Sequence, residues 1–303
     1  MTITTDQYYL LSALAEEGHA DADYELGHYF FGGAHTGKPQ YDKAIEHWTR
    51  AAEKGHPNAA FNLGILYYDG EFIQEDREKS AHYYSIAAEG GNTDAQFTIG
   101  NYYQHGVGLP VDFQKANEWY LRAAAKGNLK AMTNLGGNYM EGRGFEQNKK
   151  TAVEYFSKAA DEQYGDAEYC LGLSYYYGDG VERDERRAFL LFIRASRHGN
   201  PNGLNLAGLM YIQGQIVERN IENAVTCWTN GANCGCELCT ENLYHHYSAG
   251  KYKNPEQAQY WKQKLEECGI STDDLYECDF GYVIKVDHYN NTMIIPYEEE
   301  EMK

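Results

Sequence analysis

Apolar and polar positions along the chain recur with one fixed period. Gly27, Gly64, Gly100, Gly136, Gly172 and Gly208 fall in register, 37 residues apart at the first step and 36 at every later one. Tyr244 takes the seventh slot. Small residues form a second column at Ala44, Ser80, Ala116, Ala152, Ala188 and Ala224. Four positions later stands a ring: Trp48, Tyr84, Tyr120, Phe156, Phe192 and Trp228. Three later again the residue is small, at Ala51, Ala87, Ala123, Ala159, Ala195 and Gly231. Steps of four and three place all three columns on one face of a helix. The glycine column lies in a second helix, after Leu63, Ile99, Leu135 or Leu171 and before Tyr67, Tyr103, Tyr139 or Tyr175. Glycine inside a helix costs about 1 kcal/mol against alanine, so its repetition there predicts close contact with a neighbouring helix.

Each period therefore predicts two helices and two turns. Gly55, Gly91, Gly127, Gly199 and Gly235 end the first helices, with Gln163 in that slot of the fifth unit. Gly33, Gly70, Gly106, Gly142, Gly178, Gly214 and Gly250 end the second. Helix-pair units are expected near 6–33, 41–70, 77–106, 113–142, 149–178, 185–214 and 221–250, with a polar-sided cap at 255–269. Together they make one repeat body over 1–275, in which each unit touches only its neighbours. Residues 276–303 leave the period. Their β-prone runs 282–286 and 292–296 suggest either a short hairpin or a tail that orders on docking, followed by the acidic run Glu298–Glu301.

One copy, Ala116, Tyr120, Ala123, Ala124, Gly127, Ala131, Leu135, Gly136, Tyr139 and Gly142, resembles the Sel-1-like repeat family, relatives of tetratricopeptide repeats. The resemblance spans roughly residues 10–270. It implies an all-α fold: a right-handed superhelix of about seven helix pairs with a short non-repeat tail. It also implies an adaptor that holds other proteins on its concave face, as many bacterial members do. Some cysteine-rich relatives are linked to β-lactam binding or hydrolysis, but the paired cysteines of that branch are missing here.

Charge narrows the choice of partners. The formal net charge is −19, which repels phosphate backbones and argues against nucleic acid. The first residues lack the basic and apolar regions of a secretory signal, and no run is apolar enough to span a membrane. The 7 cysteines do not recur once or twice per repeat, so they are read as reduced thiols in a cytoplasmic protein. Neither a Ser/His/Asp order nor an HExxH helix appears. The Gly106–Gly108 and Gly178–Gly180 pieces lack a preceding strand. No cofactor and no catalytic residue are expected.

Three features remain as candidate chemistry. On the first helices a stripe runs through His47, Arg50, Tyr83, Trp119, Arg122, Tyr155, Lys158, Leu191 and Arg194, with Lys43, Lys54, Lys115, Lys126, Arg187 and His198 on the same faces. It would suit an acidic or extended peptide, arginine pairing with carboxylates and rings serving as anchors. The alternative is that these cations pair with Asp or Glu of adjacent units. Cys234, Cys236 and Cys239, with Cys227, His245 and His246 nearby, have short spacings that zinc could use. Against zinc, Cys239 occupies a slot that alanine fills in four other units. The third feature is the abundance of Tyr and His, 28 and 11, most of the tyrosines falling in repeat columns where packing explains them; His35, His105 and His198 fall in loops or turns. The leading function is a non-catalytic scaffold for a protein or peptide, with an acidic inhibitor or immunity-type protein facing a basic toxin or enzyme as the alternative. Oligomeric state and partner identity are not encoded in these patterns.

Overall fold

A computed structural model describes residues 4–33, 37–248, 250–270, 281–285 and 292–296. Expectations for His35, for part of the 32–40 loop and for the acidic run 298–301 lie outside them. The described chain is all-α apart from one hairpin, its fifteen α-helices arranged in pairs. They divide between two compact units, residues 1–148 and 149–303.

The first unit holds α1 Thr5–Glu16, α2 Ala20–Phe31, α3 Tyr41–Glu53, α4 Pro57–Asp69, α5 Arg77–Glu89, α6 Thr93–His105, α7 Phe113–Ala125 and α8 Leu129–Glu141. The second holds α9 Lys149–Asp161, α10 Gly165–Tyr177, α11 Glu185–Arg197, α12 Gly203–Gln213, α13 Ile221–Asn233, α14 Glu237–Ser248 and α15 Pro255–Glu267. After α15, β1 Gly281–Lys285 pairs antiparallel with β2 Thr292–Pro296, Tyr282 opposite Ile295, and β1 runs beside α14.

Capping follows the period. Asp76, Asp112, Asp184 and Asn220 each accept a hydrogen bond, at 2.9–3.0 Å, from the amide three residues on, closing the first turns of α5, α7, α11 and α13. Asn92 and Asn128 do the same for α6 and α8. Gln163 breaks the glycine turn column. It adopts φ +61°, and among the described residues no other non-glycine has a positive φ.

The glycine column is the seat of the aromatic column. Five second helices bring their glycine against the ring of the next first helix: Trp48 over Gly27, Tyr84 over Gly64, Tyr120 over Gly100, Phe192 over Gly172 and Trp228 over Gly208. Most of these rings are anchored as well. Trp48 and Trp228 donate to the carbonyls of Tyr24 and Asn205, at 3.2 and 3.1 Å, and the Tyr120 hydroxyl donates to Asn101 at 2.6 Å. An added Cβ at Gly100 would sit 2.5 Å from Tyr120 Cε1, whereas one at Gly137 in α8 would meet nothing within 4 Å. Gly100→Ala should therefore lose about 1–3 kcal/mol to overpacking, only partly offset by alanine's better helix propensity. Gly137→Ala should gain up to about 1 kcal/mol. Urea melts of the two variants should shift in opposite directions.

Candidate functional site

The first helices carry the cationic stripe, and their sequence decides which of its members face a carboxylate. In the first unit Asp23 of α2 is 0% exposed. Three side chains of α3 and the turn after it converge on it. Arg50 Nε donates to Oδ1 at 3.0 Å, Lys54 Nζ donates to Oδ2 at 2.9 Å, and His47 Nδ1 lies 3.0 Å from Oδ1. Burial pushes the Asp23 carboxyl up, but Lys54, His47 and Arg50 outweigh it and hold it below its ordinary value. Phe30 stacks on His47 with ring centres 5.3 Å apart.

The second unit repeats the device. Glu168 of α10 is also 0% exposed. Arg194 of α11 donates to its Oε1 at 2.6 Å, and His198 Nδ1 lies 2.8 Å from its Oε2. Both acids lie on a second helix, and both sets of partners come from the next first helix and the residue that caps it, 26–27 and 30–31 residues along the chain, with His47 added at 24 residues in the first unit. His47, Arg50 and Arg194 of the stripe are thus held on internal carboxylates.

The other members are placed differently. Tyr83 of α5 stacks on Tyr67 at 5.6 Å, the rings within 9° of parallel. In α7 the exposed Arg122 guanidinium lies over the Trp119 ring, 4.4 Å from its centre. In the second unit Lys158 lies over Tyr155 at 5.5 Å. Leu191 is 8% exposed and packs beneath the surface, where its Cβ lies close to Gly172.

Two sets of residues were hidden from sequence reasoning. Asp23 and Glu168 are the first, in a slot that holds Ala60, Met132 and Leu204 elsewhere. Their signal is the basic residue 26 or 27 positions further on. The second set is a series of rings under first-helix cations: Lys43 over Phe30, Lys79 over Tyr67, Lys115 over Tyr103 and Arg187 over Tyr175, all at 5.1–5.5 Å.

Other concave features offer less chemistry. An apolar pocket of about 230 Å³ in the first unit is lined by His28, Phe31, Trp48 and Ile65, among others. A groove of about 650 Å³ in the second unit interleaves Arg183, Arg186 and Arg187 with Glu182, Asp184 and Glu185, so its charges cancel. Among the described residues no three His, Cys, Asp or Glu side chains come together as metal ligands. Cys236 and Cys239 do meet, the Cys239 amide donating to Cys236 Sγ at 3.4 Å. The hydrogen bond from the Cys239 side chain pulls the Cys236 thiol down, while burial pushes Cys239 up and Cys227 up to about 11. Among the described residues all six cysteines are free thiols. No helix among the described residues is long and apolar enough to cross a membrane.

The sequence matches the profile of the Sel1 repeat seven times, over residues 20–56, 57–92, 93–128, 129–164, 165–200, 201–236 and 236–269. Each of these copies opens on a second helix rather than a first. Comparison with curated proteins gives no match. Among solved structures, the chain is similar to a Sel1 repeat protein from Oxalobacter formigenes, with a TM-score of 0.74 and 28% identity over 88% of this chain and 77% of that one. It is also similar to a protective antigen present in uropathogenic Escherichia coli strains that displays an SLR fold, with a TM-score of 0.70 and 31% identity over 88% of this chain. The chain spans 57% of the length of that antigen.

Proposed function

We propose that this chain, which belongs to the Sel1 repeat family, is a non-catalytic scaffold that holds a protein or an extended peptide against its first helices. The observation that carries this reading is the face around α5 and α7. Tyr83 and Trp119 are half-buried against one core cluster, Tyr83 stacked on Tyr67 and Trp119 under the exposed Arg122 guanidinium. Fixed aromatic rings next to arginine are what protein interfaces use as anchors. Tyr155 and Lys158 offer the same pairing within the second unit. Sel1 repeats generally bind proteins, which supports the same reading. A bacterial, cytoplasmic setting belongs to this proposal, as does the lack of a cofactor.

A photo-crosslinking residue at position 83 or 119 tests it. Irradiation in extracts of the native organism is expected to give one discrete crosslinked partner from both positions and none from position 94, on the exposed first turn of α6. Equal crosslinking from all three positions would refute a dedicated first-helix face.

A further inference from the structure

We propose that Arg122 is an open carboxylate seat, and that an acidic side chain of a bound partner peptide occupies the place an internal carboxylate fills in two sister repeats. The inference rests on the scaffold reading and deepens it by naming the chemistry of the partner.

The argument is a comparison of one slot along the chain. Where a second helix carries a buried acid, Asp23 or Glu168, the next first helix supplies Arg50 and Lys54, or Arg194 and His198, and the pair closes on itself. Where the slot is apolar, at Ala60 or Leu204, the arginine position is uncharged, as Ile86 or Asn230, whereas Met132 is followed by Lys158, which lies over the Tyr155 ring. Acid and base come and go together at four places and part at two, Met132 and the slot of α6. The slot of α6 differs from both kinds in being polar but neutral. Gln96 stands where the acid would be, while Arg122 and Lys126 keep the two cationic positions, 26 and 30 residues on.

The consequences are visible in the bonding. Gln96 is 4% exposed; its Nε2 donates to the Ala88 carbonyl at 3.0 Å, and its Oε1 has no hydrogen-bond partner. A neutral amide cannot neutralise a guanidinium. Lys126 turns away and donates to the Gly91 carbonyl at 2.7 Å. Arg122 stays exposed, with the Trp119 ring as its contact and, among the described residues, no carboxylate within ion-pairing distance. Glu118, one turn earlier on α7, makes no ion pair with it. An exposed guanidinium 4.4 Å from an indole centre keeps a planar donor fork of the kind that takes a carboxylate two-pronged. Trp119 beside it, and Tyr83 on the preceding first helix, supply apolar contact for the residues flanking that carboxylate. The occupant that fits is an extended segment with Asp or Glu next to an aromatic or aliphatic residue. The net charge of −19 opposes such a ligand at long range, but at about 0.15 M salt this field is screened beyond about 8 Å, while a direct contact is not.

The test uses the full chain and two fluorescein-labelled peptides, one of alternating Glu and Phe and its twin with Gln for Glu, read by fluorescence anisotropy at about 0.15 M salt. The acidic peptide is expected to bind about ten-fold tighter than its twin, as a charge-assisted contact implies. Arg122→Gln should remove that difference. Gln96→Glu should remove it too, by restoring the internal acid, without lowering the melting temperature. A role for Arg122 in folding alone would not reproduce that second result. Equal binding of the two peptides, or an unchanged preference in either variant, overturns the carboxylate seat and leaves the scaffold reading to the crosslinking at positions 83 and 119. Failure of the acidic peptide to bind overturns the seat as well. Self-association of the wild-type chain that is lost in Arg122→Gln, seen by sedimentation, would overturn it in favour of a second copy as the occupant.

Discussion

Replacing Arg194 and His198 together with alanine is expected to lower the stability of the second unit by about 3–5 kcal/mol. Glu168 is fully buried, and these two side chains are the ion-pair partners the structure gives it. Removing them strands a carboxylate where water cannot reach it, and that isolated charge, rather than the lost attraction, sets the size of the effect. A different pair of changes separates the two contributions. Glu168→Leu with Arg194→Asn installs the combination that Leu204 and Asn230 already form one repeat later. Exchange of a buried ion pair for apolar packing is often close to neutral, so this double variant should melt within about 1 kcal/mol of the parent. The alanine variant should melt roughly 10 °C lower, at about 2–4 °C per kcal/mol for a unit of this size. Indistinguishable melting curves for the two double variants would show that Glu168 is not confined as described.

The second large effect is a loss of stability in mild acid, set by His246 of α14. Burial lowers its pKa from 6.5 to about 4. Its ring stacks on Tyr252 with centres 5.0 Å apart and meets Tyr247 edge-on at 4.7 Å. The folded chain thus holds the neutral imidazole, while the unfolded chain protonates near pH 6.5. Stability is fully present above that pH and falls as the pH drops towards 4. The loss is about 2 kcal/mol at pH 5 and approaches about 3 kcal/mol below pH 4. Asp23 adds to acid sensitivity in a lower window. Its carboxyl is held down in the folded state, so its contribution is present above about pH 4 and is lost below that. Between pH 7 and 5 the carboxylate is silent, but burial holds the His28 imidazole below its ordinary value too, so the difference between parent and variant melts is what isolates His246. His246→Phe should make the curve shallower over that range, leaving the part that His28 contributes. An unchanged slope in that variant would assign the acid sensitivity to other groups.

The sequence carries the repeat clearly because a ring and its glycine seat must recur together. Tyr120 cannot be buried unless Gly100 makes room, so two columns in phase locate both helices and their contact. The stripe was harder to read. Steps of three and four place His47, Arg50 and Arg194 on a helix face, but they do not say which neighbouring helix covers it. A buried carboxylate looks the same in one dimension as an exposed one, so Asp23 and Glu168 read as ordinary helix-surface acids. The reading in which basic positions pair with acids of adjacent units describes His47, Arg50 and Arg194 as they are placed. It does not describe Arg122, which lies over Trp119 with its guanidinium exposed. Leu191 shows the same limit from the other side: its slot matches that of Trp119 and Tyr155, but its side chain is packed inward. Gln163 sits where glycine is expected and takes the left-handed conformation anyway, since the turn is fixed by the helices on either side.

The division of labour between ring and glycine has an evolutionary corollary. Each aromatic residue belongs to one repeat, and the hollow that receives it belongs to the repeat before. A duplication or excision of one whole 36-residue module leaves every ring facing a hollow. A change of any other length sets rings against side chains. Such a gene can lengthen or shorten by copying errors in phase with its own period, acquiring or discarding binding surface without redesigning its interior.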